Sequence, residues 1–437
     1  MGPHRWLVAA VLCVCLQLAS AGDKTLVLLD DHSLAYTHSI FFNSLRDRGF
    51  DLEFATADNS GLALSKYGEY IYQHLVIFSP SVTEFGGKLN VRTILKFIDD
   101  GGNVLVAANP SIDEPLRKLG SECGIEFDET KTSVIDHVNH DTADQGKHSR
   151  IVVDPDNVIK NVPIAGKPLS APLLFSGVGL VVDPDNSLVT TIVHGSGSTY
   201  SYYQDEKITV YPHAVGRKTG LVAAVQARNN ARVVFAGSLD MFSDKFLTAS
   251  VESARPGSQR FEKSGNEDFV RALSAWTFHH SGVLRYTNVK HHIVGESTPP
   301  QFYTIEDDVI FSLHIEEKVD GVWQPFAGKD VQMEFHRIDP FVRLPLVPSN
   351  GDFSVRFTLP DVYGVFRFQV DYRSLGYTFL YSASQVPVRP KTHVQYERFI
   401  VSAFPYYAGA FSMMIGLILF SSVFLFHNAP SEKSKTE

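Results

Sequence analysis

Apolar residues along this chain fall into three regimes: long uncharged runs at the two ends, short continuous runs through the first two thirds, and strict alternation in the last third. Behind His4 and Arg5, residues Trp6 to Leu18 carry no charge and lead into Ala19-Ser20-Ala21. A basic flank, a short apolar core and a small-x-small exit predict a cleaved secretory signal over 1–21. Near the other end no charge occurs from Ile400 to Phe426. About 20 apolar residues in helical form cross a bilayer core, so a transmembrane helix is expected at 400–426, with Tyr406 and Tyr407 at its interface. One signal and one stop-transfer segment predict a lumenal ectodomain and a cytosolic tail over 427–437.

Between 22 and 290 the apolar runs are short and unbroken. Leu26-Val27-Leu28-Leu29 ends at Asp30, and helical spacing of Leu34, Ile40, Phe41 and Leu45 then predicts a helix over 33–48 closed by Gly49. Strands are expected at 50–55, 74–78 and 103–108, with a helix at 89–99. Continuous apolar strands alternating with helices predict a doubly wound α/β domain. The pattern resumes with strands at 221–225 and 231–236 about Arg228-Asn229-Asn230, then a helix at 267–279 carrying Phe269, Leu273 and Trp276. The stretch from about 150 to 212, rich in Val, Ile, Thr and Tyr and cut by Pro and Gly, reads as a β insertion. Within it Val152-Val153-Asp154-Pro155-Asp156-Asn157 recurs as Val181-Val182-Asp183-Pro184-Asp185-Asn186, expected as strand-ending turns.

From about 302 the period becomes two. Phe353, Val355, Phe357 and Leu359 alternate with polar neighbours, as do Phe366, Phe368, Val370 and Tyr372. Asp320-Gly321 and Asn350-Gly351 are hairpin-turn pairs. An all-β sandwich domain is expected over 291–392, with 386–390 (Val-Pro-Val-Arg-Pro) as a stiff extended link to the span.

Charge and cysteine content narrow the class. The 437 residues carry a net charge of −9 without a basic run, which argues against a nucleic-acid partner. Cys13 and Cys15 leave with the signal, so Cys123 stands alone and no internal disulfide is expected. Its setting reads as a packed small hydrophobe. No Asn opens an acceptor sequon, and Asn109 is followed by Pro.

Open α/β sheets bind ligands beyond the carboxyl ends of their strands. The sequence places Asp30-Asp31-His32, Ser79, Asn109 and Gly237-Ser238-Leu239-Asp240 there. The order of elements is similar to that of glutamine-amidotransferase domains, whose nucleophile is a Cys on a strand-to-helix elbow. The comparable segment here is Ala107-Ala108-Asn109-Pro110, so no catalytic residue is assigned. Asp31, Asn109 and Asp240 remain as candidate ligand-binding residues that suit sugar hydroxyls, although helix capping is the plainer role for Asp31 and Ser33. The Asp-Pro-Asp triplets, the trio His137, His140 and His148, and the pairs His279-His280 and His291-His292 lack metal-ligand spacing, so neither metal nor cofactor is expected. In the span, Gly409, Ser412 and Gly416 share one helical face suited to helix packing. Lys433 and Lys435, fifth and third from the carboxyl end, match a di-lysine retrieval signal.

Longer segments carry a resemblance. Asp339-Pro340-Phe341-Val342-Arg343, Leu359-Pro360-Asp361-Val362-Tyr363-Gly364-Val365-Phe366, Leu375-Gly376-Tyr377-Thr378 and Tyr396-Glu397-Arg398-Phe399-Ile400 are similar to the 48-kDa non-catalytic oligosaccharyltransferase subunit family. So are Ala410-Phe411-Ser412-Met413-Met414, Gly237-Ser238-Leu239-Asp240 and Pro256-Gly257-Ser258-Gln259-Arg260. The resemblance implies a structural subunit of the complex that moves a preassembled glycan from dolichol pyrophosphate to Asn of nascent chains. It implies residence in the endoplasmic reticulum membrane. The implied partners are a multispanning catalytic subunit, the ribophorins and a small DAD-type subunit, with the dolichol-linked glycan as a further candidate ligand. The catalytic subunit of that complex carries Trp-Trp-Asp; here Trp6, Trp276 and Trp323 are not followed by Asp. A solitary amidotransferase-derived enzyme and a lumenal sugar-binding cargo receptor are the alternatives. The missing elbow nucleophile weighs against the first. The absence of a disulfide-braced lectin module, and a tail without a diphenylalanine export signal, weigh against the second.

Overall fold

Five consecutive apolar residues give a strand no polar face, and the strands that carry such runs sit in the middle of one sheet. The computed structural model describes residues 23–144, 146–398 and 400–427; the signal expected at 1–21 and the lysines Lys433 and Lys435 lie outside them. Strands β1 (Lys24–Leu29), β2 (Asp51–Thr56), β3 (His74–Phe78), β4 (Asn103–Ala107), β5 (Ile125–Phe127), β6 (Leu180–Val182), β7 (Val189–His194), β8 (Gly220–Gln226) and β9 (Arg232–Ala236) form a nine-stranded sheet. Its order is β2-β1-β3-β4-β9-β8-β6-β5, with β7 also on β8. The pairs from β2 through β9 are parallel, and those beyond β9 are antiparallel.

Alternate residues of each strand reach opposite faces, so the sheet carries two cores. Val27, Val76 and Leu105 pack with Phe41 and Phe42 of α1 (Ser39–Asp47) and Trp276 of α4 (Asn266–Thr277). Leu28, Ile77 and Val106 pack with Ile94 of α2 (Val91–Asp99) and Leu116 of α3 (Glu114–Glu122). The start of α2 is set by a capping box, in which Asn90 Oδ1 accepts from the Thr93 amide at 2.9 Å and Thr93 Oγ1 accepts from the Asn90 amide at 2.8 Å. Gly49 adopts φ +96° where the expected helix closes.

The helix expected over 33–48 is broken. A single turn, Leu34–Thr37, stops at His38, whose φ of −119° precedes α1. His38 reaches across the edge of the sheet, Nε2 lying 3.3 Å from the Leu239 carbonyl oxygen. That long-range contact overrides a continuous helical pattern. The stretch from 150 to 212 contributes β6 and β7 to the main sheet and two side ribbons, Ile151–Val153 with Leu173–Phe175 and Thr132–Ile135 with Tyr200–Tyr203. The first Asp-Pro-Asp triplet is a 3-10 turn at Pro155–Asn157; in the second, Asp183 Oδ1 accepts from the Asp185 amide at 3.0 Å.

The alternating residues build a sandwich. One sheet holds β10 (Val283–Ile293), β12 (Asp308–Val319), β13 (Val322–Pro325), β16 (Val347–Ser349) and β17 (Asp352–Thr358). The other holds β11 (Tyr303–Thr304), β14 (Gln332–His336), β15 (Pro340–Pro345), β18 (Gly364–Tyr372) and β19 (Leu380–Arg389). Phe311, Phe335, Phe353 and Phe368 fill the space between them. Asp320-Gly321 and Asn350-Gly351 have positive φ at both positions (47° and 84°, 50° and 87°), as two-residue hairpin turns require. The stretch 386–390 is not a free link. Val386 to Val388 pair with Phe366 to Gly364, so β19 runs to Arg389 and the connection to the span starts only beyond it.

The two domains share a polar seam. Asn161 Nδ2 donates to the Leu375 carbonyl at 2.8 Å, Gln226 Nε2 to the Tyr377 carbonyl at 2.7 Å, and the Phe379 amide to Asn230 Oδ1 at 2.7 Å. Helix α5 (Phe404–Phe426) follows the sandwich, with no buried residue. The 26-residue segment that contains it, Val401–Phe426, holds an 18-residue window of mean hydropathy 2.1 and is long and apolar enough to cross a membrane.

Candidate functional site

Parallel register brings the carboxyl ends of β1, β3, β4 and β9 to one edge: Leu29 pairs with Phe78, and Ala107 with Ala236. The loops that follow therefore place Asp31, Ser79, Asn109 and Asp240 along that edge, drawn from four strands. No hydrogen bond among the described residues joins Asp31, Asn109 and Asp240 to one another.

Each of the three has a distinct local setting. Asp31 is exposed and accepts from Ser33 Oγ at 2.7 Å, a contact that lowers its carboxyl below the ordinary range. Neither residue caps the helix, since the Ser33 side chain makes no capping bond and the turn at Leu34–Thr37 is too short to need one. Asn109 Oδ1 accepts from the Ser111 amide at 2.8 Å, an Asx turn that shapes the elbow before Pro110. Asp240 is solvent-exposed at its edge yet crowded enough that desolvation raises its carboxyl, against the attraction of His38, Lys245 and Arg150. Asp30 is likewise raised by desolvation, and its Oδ2 lies 3.4 Å from the Ser81 amide.

The loops after β1 and β9 are tied together. Asp244 accepts from the Ser39 amide at 3.1 Å, Ser39 Oγ at 2.7 Å and the Ile40 amide at 2.9 Å, so it caps α1 from a segment about two hundred residues away in sequence. Beneath this clasp Phe41, Phe78 and Phe242 stack and tilt at centroid distances of 5.2–5.5 Å. The edge is thus a rigid rim of carboxylates and amides, able to accept and donate hydrogen bonds to a polyhydroxylated ligand.

Ser238, Ser79 and Cys123, the hydroxyls and thiol nearest the strand ends and the elbow helix, are engaged or buried. Ser238 Oγ donates to the Ser176 carbonyl at 2.6 Å and accepts from the Met241 amide at 3.2 Å. Ser79 is fully buried, its Oγ without a partner among the described residues. Cys123 sits at the carboxyl end of α3, and burial pushes its thiol up to about 12.

Two clusters were not legible as such. Asp136, 1% exposed, accepts from the Val138 and Asn139 amides, Asn139 Nδ2, Ser196 Oγ, Ser198 Oγ and Thr199 Oγ1. Burial alone would raise this carboxyl, but the hydrogen bonds from Ser196, Asn139 and Ser198 outweigh it and hold the group far below the usual carboxylate range. The Gly195-Ser196-Gly197-Ser198-Thr199 segment was the available signal. The histidines of the 137–148 loop do meet: His137 Nδ1 lies 2.6 Å from His148 Nδ1, and His140 stacks on His148 at 4.0 Å. Among the described residues no group of three or more His, Cys, Asp or Glu side chains has the geometry to hold a metal ion.

Residues 16–280 match the family model described as OST48, N-terminal domain, and residues 291–428 match that of the OST48 middle domain. This chain belongs to the OST48 family. The boundary between the two matches falls at β10, where the chain passes from the α/β sheet to the sandwich. Three relatives carry the name dolichyl-diphosphooligosaccharide–protein glycosyltransferase 48 kDa subunit. The one from Danio rerio is 60% identical over 419 residues, covering 96% of this chain and 95% of the relative. That from Drosophila melanogaster is 50% identical, covering 99% and 98%, and that from Caenorhabditis elegans 49% identical, covering 97% and 96%. Among solved structures, a ThuA-like protein from Parabacteroides merdae aligns with 59% of this chain and 90% of its own at 15% identity and a TM-score of 0.31. A likeness that distant carries no argument.

Proposed function

We propose that this chain is a non-catalytic, structural subunit of the oligosaccharyltransferase complex, the assembly that transfers a preassembled glycan from dolichol pyrophosphate to Asn of nascent polypeptides. The observation that carries the reading is full-length kinship: relatives named as the 48 kDa subunit align over 95–98% of their own length. The elbow supports the non-catalytic part. Where an amidotransferase-like sheet would present its nucleophile, Asn109 spends its side-chain oxygen on the Ser111 amide.

In this reading the chain is a single-pass type I protein of the endoplasmic reticulum. Its α/β domain and sandwich are lumenal, α5 spans the bilayer, and Lys433 and Lys435 form a cytosolic retrieval signal. Its partners are the multispanning catalytic subunit, the ribophorins and a small DAD-type subunit. The rim carrying Asp31, Asn109 and Asp240 contacts the carrier-linked glycan or the arriving polypeptide without performing chemistry.

Affinity purification of the tagged chain in mild detergent tests the assignment. Recovery of a multispanning partner together with glycan transfer to an acceptor peptide is the expected result. A chain that elutes alone, or that transfers glycan by itself, refutes it. Replacing Lys433 and Lys435 by Ser in a chain expressed without partners should release it to the Golgi; unchanged residence removes the retrieval signal from the account.

A further inference from the structure

Strand register gives the sandwich two unlike ends. At one end Val283 pairs with Lys318 and Tyr372 with Leu380, and this end meets the α/β domain through Gly282, which accepts from the Thr378 amide at 3.0 Å. At the other end Ile293 pairs with Val309, Asp308 with Thr358, His336 with Arg367 and Gly364 with Val388. The chain leaves for α5 from this second end, through Arg389.

Both ends show apolar side chains to solvent, Val322, Leu375 and Tyr381 among them at the end beside the α/β domain, but only the far end faces the connection to α5. The end beside the α/β domain turns through Asp320-Gly321 and Asn350-Gly351. The far end carries Phe302, Ile338, Phe341, Tyr363 and Val365, all exposed, with Ile338 at 82% and Tyr363 at 64%. Ile338 is the tip of the β14–β15 hairpin, Tyr363 precedes β18, and Phe302 precedes β11, so three separate connections bring apolar side chains to one end. Water gives no reason for such a convergence, and a clustered exposed apolar surface marks a contact.

A second observation identifies what it contacts. The connection toward α5 is fastened to this same end: Lys391 pairs with Glu306, and the Arg389 guanidinium lies 4.0 Å from the centre of the Phe302 ring. Residues 392–400 remain before the helical segment that starts at Val401. At about 3.3–3.6 Å per residue they reach ~30 Å when fully extended. A turn at Thr392, whose carbonyl accepts from the Gln395 amide at 2.9 Å, shortens that reach. The apolar end is therefore tethered within about 30 Å of the bilayer surface that α5 enters.

We propose that Phe302, Ile338, Phe341, Tyr363 and Val365 form a foot that rests in the headgroup layer of the membrane beside the span. The occupant of this surface is lipid. Aromatic rings with one polar tip suit that layer, and Tyr363 supplies one. The foot sets the height of the α/β rim above the bilayer, since the sandwich stands between the two. The inference rests on α5 being the membrane span, which the test checks separately.

The full chain is placed in phosphatidylcholine nanodiscs doped either with headgroup-nitroxide lipid or with acyl-chain-nitroxide lipid. A fluorophore is attached in turn to Ile338→Cys, Tyr363→Cys, Val322→Cys and Met413→Cys. Cys13, Cys15 and Cys123 are replaced by Ser in every variant, so that only the introduced thiol takes the label. Val322 is 61% exposed on the opposite end of the sandwich and serves as the reference. The headgroup quencher is expected to quench the labels at 338 and 363 several-fold more than that at 322, while the acyl-chain quencher acts on the label at 413. Equal headgroup quenching at 338, 363 and 322 overturns the foot. Absence of acyl-chain quenching at 413 removes the span and the foot with it. A photoreactive residue at 338 in the assembled complex should cross-link to lipid, and capture of another subunit there instead overturns the proposal.

Discussion

The Arg232 guanidinium lies 4.7 Å from the ring centre of Trp276, and both side chains donate to one acceptor, the Gly376 carbonyl, at 3.2 and 2.8 Å. Arg232 opens β9 in the α/β sheet, and Gly376 lies in a loop of the sandwich, so one buried cation joins the two domains. No carboxylate balances it among the described residues. The guanidinium also donates to the carbonyls of Trp276 at 2.6 Å, Ser281 at 2.8 Å and Gly282 at 2.7 Å. Burial pushes it down to about 9, still protonated at neutral pH. Gly376 is required here: its φ is +87°, and a Cβ would sit 2.5 Å from Asn161 Oδ1.

Arg232→Met should therefore loosen the seam. It keeps the apolar stem but leaves the Ser281 carbonyl without its donor, which costs about 1–3 kcal/mol when buried, and takes one of two donors each from the carbonyls of Trp276, Gly282 and Gly376. A total loss on the order of 2–4 kcal/mol is expected. Thermal unfolding reads the loss, and hydrogen exchange at the Thr378 and Phe379 amides locates it. Exchange that stays slow at both amides would show that the seam holds without Arg232.

His279 ties stability to pH through the same region. Burial first, then the charge of Arg232, push its imidazole down to about 3. An unfolded histidine titrates near 6.5, so below that pH the unfolded chain binds the proton that the folded chain refuses. Stability is then present above 6.5 and falls as pH drops toward 3, by up to about 1.4 kcal/mol per pH unit from this group. His279 also sits at φ +58°, a region that Asn tolerates. His279→Asn should flatten the decline between pH 6.5 and 5 by ~1–2 kcal/mol in chemical unfolding series. Some slope remains, because burial lowers His280 as well, to about 4. An unchanged slope would remove His279 from the explanation.

Helix α5 offers a packing test. A Cβ at Gly409 or Gly416 meets nothing within 4 Å, and Ser412 Oγ turns back to the Gly409 carbonyl at 2.9 Å, so this face is smooth and open. Gly409→Leu with Gly416→Leu should insert normally yet co-purify poorly with partner helices, since overpacking a close helix contact costs about 1–3 kcal/mol per site. Full recovery of the complex by the double variant would mean that the face points to lipid.

Elements whose signal is local were legible in the sequence. Continuous apolar runs marked β1, β3, β4 and β9, alternation marked β17 and β18, and Asp320-Gly321 and Asn350-Gly351 marked their turns. Long-range contacts were not. Nothing near His38 announces Leu239, which interrupts the expected helix, and nothing near Val386 announces β18, which turns an expected linker into a strand. At the rim, the placement of Asp31, Asn109 and Asp240 followed from strand ends. The Asp244 clasp on α1 joins residues far apart in sequence, and no local pattern encodes it. Asp136 stayed hidden for the same reason, with half of its donors on the distant 196–199 loop.

The rim residues separate binding from scaffolding. Asp31 and Asp240 are exposed, and surface substitutions of this kind change stability by about 0.5 kcal/mol or less. Asp31→Asn with Asp240→Asn should leave thermal stability and assembly intact while raising the donor concentration needed for half-maximal glycan transfer. An unshifted donor curve in the assembled complex would end the glycan-binding part of the account.

The central claim is that this subunit organises the reaction without performing it, and the turnover number of the assembled complex tests that most directly. The complex is prepared with Asn109→Ala added to the two aspartate substitutions, and transfer is measured at saturating donor and acceptor. The account predicts a kcat equal to that of the unsubstituted complex, because no group at this edge bonds to the reacting atoms. Removal of a general acid or base typically costs about 100-fold or more in rate. A loss of that size in a correctly assembled, fully saturated complex would contradict the account and place chemistry at the rim.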